Sequence, residues 1–146
     1  MSDFRQVTDD FWASPQIALA DVGEAKARGF AMIINNRPEG EADDQNPGEE
    51  IAAAAAAAGL DYCAIPVTHA GFSEDQVREM CGALDASRGA VLAYCRSGTR
   101  STLLWSLAQA MSGSDPDAIA AAAAAAGYDV APIRPLIDML AAQRRG

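Results

Sequence analysis

The sequence predicts an α/β protein in three layers, in which a central, mostly parallel sheet is flanked by helices. Short apolar runs that suit buried strands alternate along the chain with segments of helical composition. This alternation is typical of βαβ units, whose parallel sheet is covered on both faces. The chain has 146 residues, which fits a single domain over residues 1–146 better than two domains.

Four segments are predicted to be extended. The first is a short piece, and the other three are compact apolar runs of the length of buried strands. In chain order they are residues 11–17, 30–34, 62–67 and 90–94. Residues 35–48 are polar, acidic and rich in proline and glycine, which indicates a long loop, and loops of this length are often functional.

Six segments are predicted to be helical from their composition and their start and stop signals. Two alanine tracts have high helix propensity and end at Gly59 and Gly127, and Ser73 has capping-box spacing with Gln76. The predicted helices cover residues 21–28, 49–58, 73–86, 101–111, 117–126 and 135–144.

Composition and charge narrow the classes of function. The chain has 11 basic and 20 acidic residues, a formal net charge of −9, so we expect no nucleic-acid or membrane partner. We expect a cytoplasmic location, because there is no signal peptide and no apolar run of the roughly 18 residues that span a bilayer. Three cysteines without a Cys-x-x-Cys motif and a single histidine favour neither a disulfide framework nor a metal site, and we expect no cofactor.

A motif of six residues, Cys-Arg-Ser-Gly-Thr-Arg, runs from Cys95 to Arg100 and directly follows the last predicted strand. Ligands of such sheets bind at the carboxyl ends of the strands, and loop amides at a helix N-terminus favour an anion. This field favours a thiolate, so we expect Cys95 to be the nucleophile and Arg100 to grip an oxyanion. The loop residues expected around the anion are Arg96, Ser97, Gly98, Thr99 and Ser101. The structural alternative is that Cys95 is a small buried hydrophobe and the arginines are solvated.

Two further residues are candidates for substrate contact. Arg37 follows the carboxyl end of a predicted strand, so it either holds a substrate anion or pairs with an acid such as Glu39 or Glu41. We expect the acidic loop Glu39–Asp44 to form a solvated rim. His69 lies in a loop above the presumed site and is either a catalytic group or a surface residue.

Four segments carry a resemblance to a known family: residues 14–16, 33–41, 65–67 and 94–101. The chain resembles the beta-lactamase-hydrolase-like family with a phosphatase-like domain, and its Cys95 loop is similar to the Cys-Arg-x-Gly-x-Arg loop of single-domain rhodaneses. The resemblance implies a fold like that of dual-specificity phosphatases, in the protein-tyrosine-phosphatase-like superfamily, with phosphatase-like or sulfur-transfer activity. It also implies a metallo-beta-lactamase-like persulfide dioxygenase as a partner, to which such domains are fused in other proteins.

Loop length and acid chemistry favour sulfur transfer over phosphoryl transfer. Tyrosine-type phosphatases place five residues between cysteine and arginine, whereas four separate Cys95 from Arg100. A tighter ring suits a persulfide sulfur better than a tetrahedral phosphoryl group. Cleavage of a phosphate ester also needs a general acid, and residues 66–72 contain no aspartate, so that His69 is the only candidate there.

We therefore expect a rhodanese-type sulfurtransferase that passes sulfane sulfur from thiosulfate or a persulfide through a Cys95 persulfide. One alternative is a protein-tyrosine-phosphatase-like hydrolase that forms a Cys95 phosphoenzyme. The other is an anion-binding module without turnover. In each case the ligand is a small anion of sulfur or phosphate.

Overall fold

The computed structural model describes residues 2–145, which form five strands and six α-helices. The strands are β1 Arg5–Gln6, β2 Phe11–Ser14, β3 Met32–Asn35, β4 Asp61–Ala64 and β5 Val91–Tyr94. The helices are α1 Leu19–Ala27, α2 Gly48–Ala58, α3 Glu74–Ala86, α4 Thr99–Met111, α5 Pro116–Ala125 and α6 Arg134–Arg145, and a short 3-10 helix covers Ala131–Ile133. Among the helices of residues 2–145, none has both the length and the apolar composition that a bilayer crossing requires.

The sheet has the strand order β1-β2-β5-β3-β4. The last four strands of this order are parallel, and β1 pairs antiparallel with β2. A mostly parallel sheet is therefore confirmed. The sequence did not predict β1, because two polar residues at Arg5–Gln6 carry no apolar alternation that would reveal a strand.

Two hydrophobic cores lie on the two faces of the sheet, because successive side chains of a strand point to opposite faces. On one face, Ile33 and Leu92 pack with α1 and α2. On the other face, Ile34 and Ala93 pack with α3, α4, α5 and α6. The three-layer α/β fold is confirmed.

The strand predicted at residues 62–67 differs from the observed one. Strand β4 lies at the edge of the sheet, where it pairs with β3, and both of its end residues are exposed. Pro66 has no N–H group, so a regular ladder stops before it. The chain still runs beside β3, since the amides of Ile65 and Val67 donate to Asn35 and Asn36 carbonyls at 2.9 and 3.0 Å.

The parallel strands bring three chain segments together at one edge of the sheet. The Cys95 amide donates to the Ser14 carbonyl at 3.3 Å, and the Asn36 amide donates to the Tyr94 carbonyl at 2.8 Å. The loops that follow β2, β3 and β5 therefore meet around Cys95.

Candidate active site

Cys95 forms the floor of a loop that joins β5 to α4. Its side chain is 0% exposed, and the Gly98 amide donates to its sulfur at 3.1 Å. Helix α4 begins at Thr99, and the first amides of a helix have no partner within it. Their positive partial charge favours an anion above Cys95.

Arg100 lies at the end of the loop, and the carboxylate and carbonyl groups around it accept hydrogen bonds from only some of its guanidinium N–H groups. Nη1 and Nη2 each donate to one carboxylate oxygen of Glu41 at 2.7 Å, and Nη1 also donates to the Val67 carbonyl at 2.7 Å. A guanidinium has five N–H donors, so Nε–H and one Nη2–H remain, and these two lie on the same edge as a fork. Hydrogen bonding to Glu41 and negative charge at Cys95 both raise the pKa of Arg100. The group is thus a fixed cation beside the sulfur, and the fork that Glu41 and Val67 leave unused faces Cys95, where it can bind an oxyanion.

Glu41 connects Arg100 to a second buried arginine. Its Oε1 accepts a hydrogen bond of 3.0 Å from Arg37 Nε, and Arg37 Nη1 donates to Gln16 Oε1 at 3.0 Å. Hydrogen bonds from Arg100 and Arg37 lower the pKa of Glu41 to about 2. Glu41 therefore ties the loops after β2 and β3 to the anion loop. We call Glu41, Arg37 and Arg100 the ion triad.

The acidic loop between β3 and α2 is fastened to the fold by two carboxylates rather than solvated throughout. Besides Glu41, Glu39 accepts hydrogen bonds from the Gly48 amide at 2.9 and 3.1 Å. Gly48 is the first residue of α2, so Glu39 lies at the positive end of that helix. The expectation of a solvated rim does not hold for these two residues.

Tyr128, which follows α5, supports the anion loop from below. Its hydroxyl donates to the Ser97 carbonyl at 3.1 Å. Gly98 has a φ of +89°, and a Cβ at this position would lie 2.1 Å from the Tyr128 hydroxyl oxygen. The loop therefore needs glycine at 98 both for its left-handed backbone and for the space that Tyr128 occupies.

Gly98→Ala is expected to lower the affinity for inorganic sulfate at least about tenfold, because a displaced loop loses one or more charge-assisted hydrogen bonds to the anion. The left-handed backbone alone costs about 1–2 kcal/mol with a Cβ. Gly29→Ala is the matched control, since Gly29 has a φ of +90° with no described atom within 4 Å of its Cβ position. Urea unfolding and calorimetry measure both variants. If both variants lost the same free energy of unfolding and Gly98→Ala kept the wild-type affinity for sulfate, this account would be contradicted.

A cleft of about 290 Å³ opens above the loop. It is lined by Thr68, His69, Gly71, Phe72, Arg96, Ser97, Thr99, Arg100 and Leu103. A larger cavity of about 550 Å³ is lined by Phe11 and Val91, the first residues of β2 and β5. That cavity lies at the opposite end of the sheet from Cys95, so we assign the chemistry to the smaller cleft.

The structure brings most of the residues singled out in the sequence to this cleft. His69, Arg96, Ser97 and Thr99 are exposed along it, and Arg100 forms part of its wall. Cys95, Gly98 and Ser101 are buried below it, and the Ser101 hydroxyl has no hydrogen-bond partner within residues 2–145. Arg37 is buried in the ion triad and takes the second of the two roles considered for it, pairing with an acid.

Sequence reasoning named Glu41 only as a possible partner of Arg37, and it did not find the pairing of Glu41 with Arg100 or the role of Tyr128. Glu41 is 59 positions from Arg100, so nothing local in the sequence shows that the two residues pair. The available signal was its place in a long loop after a strand carboxyl end. Tyr128 follows the helix-ending Gly127, a position with no chemical signature of its own.

Comparison with known sequences shows similarity to phosphatase-like domains. Residues 3–112 match the family described as beta-lactamase hydrolase-like protein, phosphatase-like domain. A beta-lactamase hydrolase-like protein of Agrobacterium fabrum (strain C58) is 38% identical over 98 residues, which are 67% of this chain and 23% of that protein. The curated relatives are thus much longer than this chain, which spans 23 to 24% of their length.

Solved structures give the same result for the fold. A candidate phosphatase from Neisseria meningitidis z2491 has a TM-score of 0.83 and 30% identity, over 96% of this chain and 99% of that one. P. aeruginosa TpbA in complex with pTyr has a TM-score of 0.66 and 15% identity, over 99% of this chain and 91% of that one. The predicted fold, like that of dual-specificity phosphatases, is confirmed.

The prediction of a rhodanese-type sulfurtransferase is wrong, because the family and the structural neighbours are phosphatase-like. The prediction equated the number of loop residues with the width of the anion site. With four intervening residues, the long Arg100 side chain still brings a free fork of donors to Cys95. The width of the anion site depends on the length of the Arg100 side chain and on the hydrogen bonds that it donates to Glu41. A count of loop residues shows neither.

Proposed function

The chain belongs to the beta-lactamase hydrolase-like family through its phosphatase-like domain, and on this premise we propose that it is a cysteine-dependent phosphatase of phosphate monoesters. The observation that carries the proposal is the fork of Arg100 that Glu41 and Val67 leave unused and that lies beside the sulfur of Cys95. A fork of this kind matches two oxygens of a phosphoryl group.

Catalysis proceeds in two displacements at phosphorus. The Cys95 thiolate attacks the phosphorus, so an S–P bond forms while the P–O bond to the leaving group breaks, and the leaving oxygen takes up a proton. Water then attacks the phosphocysteine and gives one proton back to the group that protonated the leaving oxygen, the S–P bond breaks, and inorganic phosphate and the thiolate are released. The Arg100 fork and the loop amides stabilise the charge on the phosphoryl oxygens in both steps.

Aryl phosphates are the first substrate class to test. Cys95 lies at the floor of the site with 0% exposure, and an extended aryl ester reaches deeper than a short alkyl ester. The neighbouring structure of TpbA with pTyr supports the same choice. Among residues 66–72, the proton donor for the leaving oxygen that we propose is His69, whose exposed side chain lines the cleft.

His69→Gln is expected to lower kcat for an alkyl phosphate by about 100-fold and to lower kcat for p-nitrophenyl phosphate much less. Nitrophenolate is a good leaving group that departs without a proton, whereas an alkoxide needs one. Steady-state kinetics with a series of leaving groups measures the difference. An equal loss for both substrates would assign His69 to substrate binding instead of proton transfer.

The proposed function is tested by rapid acid quench during turnover of p-nitrophenyl phosphate, followed by mass spectrometry. We expect one phosphoryl group on the peptide that contains Cys95. Absence of turnover throughout the pH range in which the protein is folded would overturn the proposal. Sulfate binding without turnover would then favour the anion-binding module.

We also propose a cytoplasmic location, because a thiolate nucleophile must stay reduced and the cytoplasm keeps thiols reduced. The ligand of the loop is a small anionic phosphate group. The metallo-beta-lactamase-like persulfide dioxygenase stays a prediction as a partner.

A further inference from the structure

We propose that the substrate is a phosphopeptide, and that an apolar side chain near its phosphorylated residue binds in a second cavity beside the cleft. The proposal rests on the phosphatase function and adds the class of substrate. The second cavity has a volume of about 130 Å³ and lies between the start of α3 and α6. Its apolar lining consists of Phe72, Val77, Met111, Leu136, Met139 and Leu140.

The second cavity adjoins the candidate active site, because one residue, Phe72, lines both. A chain whose phosphate lies in the cleft therefore passes one side chain to reach the second cavity. Leu136, Met139 and Leu140 follow the i, i+3, i+4 spacing of one helix face, which α6 presents to the cavity. The phosphorylated residue and the apolar side chain of one peptide can therefore bind along one surface.

Met139 makes this surface unusual for the molecule. Within residues 2–145, the exposed large hydrophobic side chains are Met139, at 47%, and Leu19, at 45%. A single exposed apolar side chain needs no explanation. Met139, however, lies on a cavity that already has an apolar lining, and methionine adapts its shape to varied apolar partners.

Size and charge favour a peptide side chain over a lipid chain. Pockets for complete small ligands are roughly 300–1,000 Å³, so about 130 Å³ holds one side chain and excludes a long acyl chain. The net charge of −9 opposes approach to an anionic membrane surface. The lining of the cavity contains one acid, Glu74, which pairs with Arg78, and no basic side chain, which disfavours an acidic residue at this position of the peptide.

The experiment measures binding of phosphotyrosine peptides to a Cys95→Ser protein, which does not consume them. The peptides carry leucine or aspartate at one position within four residues of the phosphotyrosine. We expect the leucine peptide to bind about tenfold more tightly at one of these positions, the effect of filling an apolar pocket. Fluorescence anisotropy gives the ratio of the two dissociation constants.

The ratio is then compared among three variants in the same background, two at Met139 and one control. Met139→Glu is expected to bring the ratio close to one, and Met139→Gln to lower it. Leu19→Glu, which charges an equally exposed apolar side chain on α1, is expected to leave the ratio unchanged. Because the ratio compares two peptides on one protein, a general loss of affinity does not affect it.

Three outcomes would overturn the proposal: no leucine preference at any position, a preference that survives Met139→Glu, or a phosphorylated lipid whose binding depends on Met139. The result is different if the protein is not a phosphatase. In that case the wild-type protein would not turn over p-nitrophenyl phosphate, while the leucine preference would persist in the Cys95→Ser protein.

Discussion

Cys95→Ser is expected to lower kcat for p-nitrophenyl phosphate by at least about 1,000-fold and to abolish the phosphoenzyme. A hydroxyl is a much weaker acid than a thiol, so at neutral pH the variant has no anionic nucleophile. Serine is close in size to cysteine, and its oxygen can still accept a hydrogen bond from the Gly98 amide, so we expect the loop to keep its shape. Phosphate binding therefore persists while turnover stops, which kinetics and calorimetry together measure.

The two other cysteines provide matched controls. Burial raises the pKa of both the Cys63 and the Cys81 thiol, so neither supplies a thiolate at neutral pH. Cys63→Ser and Cys81→Ser are expected to keep full activity and to accept a phosphoryl group on Cys95. Turnover that survives Cys95→Ser, or a phosphoryl group found on either control cysteine, would show that the nucleophile has been misassigned.

Glu41→Gln is expected to lower the free energy of unfolding by about 3 kcal/mol at neutral pH, because it leaves two buried arginines without their counter-ion. It should also lower kcat/KM for p-nitrophenyl phosphate by about 100-fold, since Arg100 loses the carboxylate that fixes its free fork. Urea unfolding and steady-state kinetics give the two values. Asp43→Asn, an exposed position on the same loop, is the control and should change neither.

The loss of stability in Glu41→Gln should depend on pH with a definite sign. The pKa of Glu41 is lowered from 4.5 to about 2 in the folded protein. A lowered pKa means that the carboxylate stabilises the fold fully above about pH 4.5 and that this contribution is lost as the pH falls toward 2. The difference in free energy of unfolding between wild type and Glu41→Gln should therefore become smaller as the pH falls over this range. A difference that stays constant with pH would show that the charge of the Glu41 carboxylate does not cause the loss of stability.

Local patterns in the sequence predicted most of the fold and the chemical centre of the site. The apolar runs marked β3 and β5, and Ser73 with Gln76 forms the predicted capping box at the start of α3. The motif around Cys95 identified the anion loop, because its strand, loop and helix are contiguous in sequence. Each of these features is decided by residues within a few positions of one another.

The remainder depends on contacts between distant segments. Glu41 was named only as a possible partner of Arg37, because only the fold shows that it also pairs with Arg100. The burial of β4 was overestimated, since a sequence does not state which strand lies at the edge of a sheet. The choice between sulfur and phosphorus failed for a related reason: the loop was judged by its own length without the side chain that holds Arg100.

The position of Tyr128 has a consequence for where this domain can be truncated. The family match ends at residue 112, but the residue that supports the anion loop lies at 128. A fragment that stops at the family boundary would also uncover the apolar face of α4 that α5 and α6 bury. The smallest unit that folds with an intact anion loop therefore extends past that boundary and includes α6.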